Sequence, residues 1–368
     1  MKIPFFSLSD VYHGNRALFL DKFDEVLSKG QYFAGKSIEV LEFEFSVFCE
    51  RYFCVSVGSC TDALFFSLKS VGVTAGDKVL VTSFSFLASV SAILRIGAIP
   101  VFVDINPDTL MMDINDFKSK ITKDTNFLVA VHLFGQSLDI NKLEQICKEE
   151  KITIIEDAAQ SLGSKYKNRI VGSMGDISCV SFDPTKIISA FGGGGIVLTD
   201  NEEYHNLLLK YRYHGKNFKT NDFDMLGYNS RMSSLSASLI SIQYNHIENI
   251  IGYRNVVAGE YIERLKDIDE IQLLKVDPNS THNYHKFVIK AERRDELKSF
   301  LSKNGIETKI HYDLPLYKYK LFEKYEHICE NIKVTEDIVS RVLSLPIYPN
   351  LGEDEVDYVV RKIKEFYR

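Results

Sequence analysis

The stretch Ile152-Thr153-Ile154-Ile155-Glu156-Asp157-Ala158-Ala159-Gln160 is a four-residue β-branched run closed by two carboxylates and then by small residues. A run this short, bounded this way, predicts a strand buried on both faces. An acid at the end of such a strand is costly to bury unless something pairs with it. The same pattern recurs on either side. Phe53–Val57, Lys78–Thr82 (KVLVT), Pro100–Ile105 (PVFVDI), Phe127–Leu133 (FLVAVHL), Cys179–Phe182 (CVSF) and Ile196–Thr199 (IVLT) predict further short strands. Asp62–Ser70 and Asp139–Lys151 carry helical patterns between them. Apolar strands alternating with helices predict an α/β fold with a mostly parallel central sheet flanked by helices. Such sheets gather ligands at the carboxyl ends of their strands.

Farther out, Ser233–Lys266 predicts one long helical stretch leading out of this large domain. Lys286–Lys290 (KFVIK), a helix over Arg294–Lys303, Thr308–Tyr312 (TKIHY) and a closing helix over Asp354–Tyr367 predict a smaller C-terminal α+β domain. The expected division is 1–250 and 251–368, with the opening forty residues packed on the small domain or on a partner chain. At 368 residues, 45% hydrophobic and 26% charged, the composition is that of a folded globular protein and excludes collagen and low-complexity disorder. A formal net charge of −6 argues against a dedicated nucleic-acid binder. No signal-peptide core follows the opening MKIPFFSLSDVYHGN, and no apolar run has the length of a membrane span. The six cysteines are scattered, with no C-x-x-C pair and no metal-ligand spacing. A soluble cytoplasmic protein with no metal site, no membrane contact and no structural disulfides is the expectation.

The residues that carry chemistry follow the strands. Gly58-Ser59-Cys60-Thr61-Asp62 opens a helix after Phe53–Val57. It reads either as an anion cradle, since small residues leave the first amides of the helix free, or as a plain N-cap on Ser59 or Thr61. Asp157 is either a partner for a protonated heterocyclic nitrogen or another N-cap. Lys186, in Ser181-Phe182-Asp183-Pro184-Thr185-Lys186, sits among apolar and glycine residues that would lower its pKa and make it a nucleophile toward a carbonyl; the alternative is an exposed loop lysine. Gly192-Gly193-Gly194-Gly195 fits no nucleotide-loop register and predicts a flexible or close-packed turn. Phe84 and Phe86 offer an aromatic face for a planar ring, or core packing. Together, an anion cradle, an aromatic plate, a buried acid and an activated lysine, each after its own strand, match the needs of pyridoxal 5′-phosphate.

With these motifs in order, the chain resembles the DegT/DnrJ/EryC1/StrS family of nucleotide-sugar aminotransferases, which have the fold-type I architecture. The likeness runs from Ile3-Pro4-Phe5 through Gly58–Leu64, Val101–Asp104, His132–Gln136, Glu156–Gln160, Pro184-Thr185-Lys186, Gly227-Tyr228-Asn229 and Arg231-Met232 to Ile310-His311-Tyr312 and Ser344-Leu345-Pro346. The resemblance implies that Lys186 holds the cofactor covalently and moves protons, and that Asp157 pairs with the ring nitrogen. It implies that Ser59, Cys60, Thr61 and Ser181 bind the phosphate, that Phe86 stacks on the ring, and that Gln160 contacts the ring or its hydroxyl. It implies that Asn229 reaches the cofactor of a neighbouring subunit in a homodimer, and that His311, Tyr312 and Arg231 contact substrate. Gly193, where the family usually has Asp, and Ser233-Ser234, where it usually has an acid, are departures. The implied reaction moves an amino group from L-glutamate to a nucleotide-linked keto sugar through the pyridoxamine form of the cofactor. The segment Ile310–Leu316 is more similar to relatives that aminate C3 of a dTDP-linked 6-deoxyhexose than to those acting at C4. A catalytically idle regulatory relative is the non-enzyme alternative.

Overall fold

The computed structural model describes residues 1–33 and 35–368. Seven strands form the central sheet: β1 (Phe53–Val57), β2 (Lys78–Thr82), β3 (Ile99–Val103), β4 (Thr125–Val131), β5 (Thr153–Asp157), β6 (Ile177–Ser181) and β7 (Gly195–Thr199). Their spatial order is β1-β7-β6-β5-β4-β2-β3. Only β7 runs antiparallel to its neighbours; the other pairings are parallel. The strands predicted for this central sheet all appear, displaced by at most two residues, because each is an apolar run covered on both faces. From their second residue onward β1, β2, β3 and β5 are buried, and β6 and β7 are buried throughout.

Helices α1 (Leu8–Lys29) and α2 (Lys36–Phe48) precede the sheet; α3 (Cys60–Ser70), α4 (Ala88–Ile96), α5 (Ile114–Ser119), α6 (Ile140–Glu150) and α7 (Glu202–Arg212) alternate with its strands. Instead of one stretch over Ser233–Lys266, there are two helices, α8 (Ser234–Tyr244) and α9 (Ile247–Leu265). The break re-aims the chain. Ala237 and Ile240 of α8 face the large core with Ile247, whereas Val257, Ala258, Tyr261 and Leu265 of α9 belong to a second core. That core is built around an antiparallel sheet of β8 (Ile271–Leu273), β9 (Phe287–Ala291) and β10 (Val342–Leu345). Helices α10 (Arg294–Lys303) and α12 (Glu353–Tyr367) cover it, and the short α11 (Lys333–Ile338) lies between them in the chain.

Thr308–Tyr312 does not form a strand and makes a single bridge, Lys309 to Ser344. The following segment returns to the large lobe. Leu316, Phe322, Ile332 and Ile338 join the large core, and Asp104 accepts hydrogen bonds from the amides of Val334 (2.7 Å) and Thr335 (2.9 Å) at the start of α11. The opening residues divide as well. Ile3 pairs with Ile306 of the small lobe, whereas α1 lies on α8, where Phe19 packs with Leu239 and Ile242. Among the described residues no helix is long and apolar enough to cross a membrane.

Candidate active site

The parallel strands β1, β2, β5 and β6 end at the same edge of the sheet, and the loops that follow them wall a cavity of about 590 Å³ beneath the small lobe. Ser59, Cys60 and Thr61 come to it from β1, Phe86 from β2, Asp157 and Gln160 from β5, and Ser181 and Lys186 from β6. His311 and Tyr312 reach it from the small-lobe side. Most of the expected site residues are therefore brought together. Asn229 is exposed outside the cavity of its own chain, and Arg231 lies over the rings of Phe33 and Tyr213, 4.8 and 4.5 Å from their centroids.

The N-cap reading of the Ser59 loop is observed, and the loop also leaves amides open at the cavity. The Ser59 hydroxyl accepts from the amide of Asp62 at 3.1 Å and caps α3. The amides of Cys60 and Thr61, in the first turn, have no intrahelical partner and border the cavity, where the positive end of the helix favours an anion. Gly195 makes this possible. A Cβ there would stand 2.7 Å from the nitrogen of Cys60, so only glycine lets β7 pass so close behind the helix start. Exposed Gly193 and buried Gly194 complete a turn at the cavity wall.

Asp157 is 3% exposed. One carboxylate oxygen accepts from the hydroxyl of Ser89 at 2.7 Å and the other from the amide of Ala159 at 3.1 Å. Burial nevertheless raises its pKa above the usual carboxylate value. Its neighbour Glu156 points to the other face and is wholly structural. It accepts from the amides of Gly172 (2.6 Å) and Met174 (3.0 Å) and from the hydroxyl of Ser178 (2.6 Å), and it faces His132 at 3.1 Å. Burial lowers the pKa of the Lys186 amine, only partly opposed by Cys60, Asp157 and Asp183. Phe86 leaves 59% of its surface open, whereas Phe84 is a core residue at 1%. The Gln160 side chain accepts from the amide of Phe134 (3.0 Å) and donates to the Tyr312 hydroxyl (3.1 Å). Ser233, at one departure, accepts from the amide of Ser236 and caps α8.

Four participants escaped the sequence reading. Ser89 fixes Asp157 from α4; nothing in Ala88–Ile96 distinguishes it from Ser91 in the same apolar helix. Phe5, Lys286 and Lys309 also line the cavity. A lysine at the head of KFVIK reads as a solvated strand end; only the fold places it inside.

The family model for the DegT/DnrJ/EryC1/StrS aminotransferase family matches residues 15–364. The chain belongs to this family. It is 34% identical to a protein of Geobacillus stearothermophilus named pleiotropic regulatory protein, over 100% of this chain and 99% of that one. It is 32% identical to dTDP-3-amino-3,4,6-trideoxy-alpha-D-glucose transaminase of Streptomyces venezuelae, over 99% and 96%. The crystal structure of S. venezuelae DesV in complex with a ketimine intermediate superposes with a TM-score of 0.96 at 32% identity, covering 100% of this chain and 99% of that one. The chain is an enzyme of the sugar aminotransferase class, and the family's cofactor is pyridoxal 5′-phosphate. The aminotransferase's donor set fits that cofactor. Free helix amides suit its phosphate, the open ring of Phe86 suits its ring, a buried carboxylate suits its ring nitrogen, and a buried amine of lowered pKa suits its aldehyde.

Proposed function

We propose that the enzyme transfers the amino group of L-glutamate to a nucleotide-linked keto sugar, specifically a dTDP-linked 3-keto-6-deoxyhexose. The product would be a 3-amino sugar for polysaccharide or glycan synthesis in the cytoplasm. The observation that carries this reading is that Lys186 and Asp157, on separate strand ends, border one cavity with an open aromatic face and a free helix start. The 3-amino sugar in the name of the S. venezuelae relative supports the position of amination. An intact Lys186 and Asp157 support catalysis over an idle regulatory role.

When bound, the cofactor supplies an electron-withdrawing ring and a carbonyl that carries the amino group between substrates. The chain's residues do the rest. Lys186 Nζ, whose pKa burial lowers, takes a proton from the donor's α-carbon and later delivers one to the sugar carbon. Asp157, held by Ser89 and Ala159, keeps a proton on the ring nitrogen; that proton turns the carboxylate's burial cost into an ion pair. Cys60 and Thr61 amides with the Ser181 hydroxyl hold the phosphate.

A homodimer is part of this reading. Leu20, Phe23 and Leu27 form an apolar stripe on α1, each between 42% and 47% exposed, and Phe43 and Val47 on α2 are 70% and 59% exposed. Faces of this kind ask for a partner, and a second copy would bring Asn229 and Arg231 to a cavity that their own chain does not offer them. The test is glutamate-dependent amination of a panel of 3-keto and 4-keto sugar nucleotides, with the product located by NMR. Amine at C3 of a dTDP sugar is expected. Amine at C4 would move the assignment, and no amine from any member would reject it.

A further inference from the structure

Two lysines line the cavity and have no part in the reaction described. Lys286 heads β9 and Lys309 lies in the segment bridged to β10; their ammonium groups sit 5.2 and 5.7 Å from the centroid of the same ring, that of Phe5. Phe5 is 3% exposed, fixed by its amide's bond to Glu307 (3.2 Å) and by the pairing of Ile3 with Ile306. Lys309 also lies 5.4 Å from the ring of Phe6. Neither lysine forms a salt bridge among the described residues. Both flank His311, whose Nδ1 meets the Ser344 hydroxyl at 2.8 Å. The wall they form carries cations without a matching acid; the carboxylates lining the cavity are Asp157 and Asp183, and Asp183 is engaged by the amide and hydroxyl of Thr185.

Clustered like charges cost stability unless a counter-charge arrives. The half-buried Lys286 amine shows that cost. Burial, then the nearby charges of Lys186, Arg254 and Lys309, pull its pKa down to about 7. Arg254 is already committed, donating to the carbonyls of Tyr284 (2.9 Å) and Ile347 (3.2 Å). The helix start that suits the cofactor's phosphate belongs to α3 of the large lobe, whereas this cationic wall belongs to the small lobe.

We propose that Lys286 and Lys309, gathered on the ring of Phe5, form an anion subsite for an oxyanion that the substrate carries apart from its reacting carbon. The proposal rests on the aminotransferase reading, since it assigns a handle on that reaction's substrates. The shared chemistry is an anionic oxygen group, which three sources could supply: the diphosphate of the nucleotide, a carboxylate on the hexose, or a carboxylate of the amino donor. Two ammonium groups converging on one oxyanion give charge-assisted hydrogen bonds in a site partly screened from water.

Calorimetric titration of the cofactor-loaded enzyme with dTDP, UDP-glucose and UDP-glucuronate, and with L-glutamate in a Lys186→Ala background where no proton leaves its α-carbon, tests it. For at least one of these, Lys286→Met is expected to raise Kd about tenfold and Lys309→Met, more exposed, about threefold, with Lys286→Arg restoring most of the loss. A loss shared by dTDP and both UDP sugars identifies the diphosphate. A loss confined to UDP-glucuronate identifies a hexose carboxylate, and one confined to L-glutamate the donor. Unchanged affinity for every probe in both variants, or no binding of any probe with both lysines in place, overturns the subsite. Should Lys286→Met fail to fold, Lys309→Met on the exposed rim still decides. Binding read this way requires no turnover. An enzyme that binds through these lysines yet aminates no keto sugar keeps the subsite and loses the proposed reaction; one that aminates while the variants bind normally does the reverse.

Discussion

Asp157 shows how a single residue is set for one chemistry at the expense of the empty fold. Its two hydrogen bonds, from Ser89 and Ala159, do not offset the loss of water, and burial raises its pKa. An acid whose folded pKa lies above its unfolded value of about 4 contributes fully to stability below that value, and the contribution is lost as pH rises through the folded pKa. In cofactor-stripped protein, Asp157→Asn should therefore melt no lower than the native chain at pH 7, and the difference should close as pH is brought down to about 4. In loaded enzyme the same substitution should cut turnover at least about 100-fold, because a neutral amide cannot hold a proton on the ring nitrogen. Thermal melts from pH 4 to 8 and steady-state rates check both halves; a variant that melts well below the native chain at pH 7 would contradict the first. Asp157 was legible in the sequence because it ends a buried strand. Ser89 and Lys286 were not, since a serine in an apolar helix and a lysine before an apolar strand have ordinary solvated or core fates, and only tertiary approach gives them another.

At the scale of elements, the sheet was legible because its strands are short apolar runs between turn residues, and a two-layer covering of helices leaves them no other place. The connections between elements were less so. Ser233–Lys266 keeps helical periodicity throughout, yet its two halves serve different cores, so the chain breaks at Asn245-His246. The glycine run is a similar case, in which four identical letters do different work. Gly195 has backbone at 2.7–2.9 Å from any added Cβ, whereas exposed Gly193 meets only the Gly58 carbonyl at 3.3 Å. Gly195→Ala should push β7 from the start of α3, costing about 1–3 kcal/mol of stability and weakening cofactor retention through the displaced amides. Gly193→Asp, which brings in the residue that the family resemblance leads one to expect there, should stay within about 1 kcal/mol of the native chain. Chemical denaturation of both variants, with cofactor retention on gel filtration, separates the two positions; equal losses would mean that the turn is strained as a whole.

The whole molecule raises the question of where one active site ends. Asn229 and Arg231 follow the chain's motif order and yet stand outside its own cavity, while α1 and α2 leave apolar faces open. No periodicity or spacing in one chain could reveal this, because the geometry that unites these features would be that of two copies. If each site takes Lys186 from one subunit and Asn229 from the other, two inactive variants should repair each other. Lys186→Ala keeps a sound Asn229, and Asn229→Ala keeps a sound Lys186. After unfolding and refolding as an equal mixture, half of the dimers are mixed, and each mixed dimer holds one site with both residues intact. About one quarter of all sites, and so about one quarter of native activity, should return under this two-fold arrangement, while each variant refolded alone stays at its own background. Sedimentation of the native enzyme should give twice the mass of one chain. Recovery no greater than the average of the two separate backgrounds would assign Asn229 and Lys186 to the same subunit's site, or to no common site.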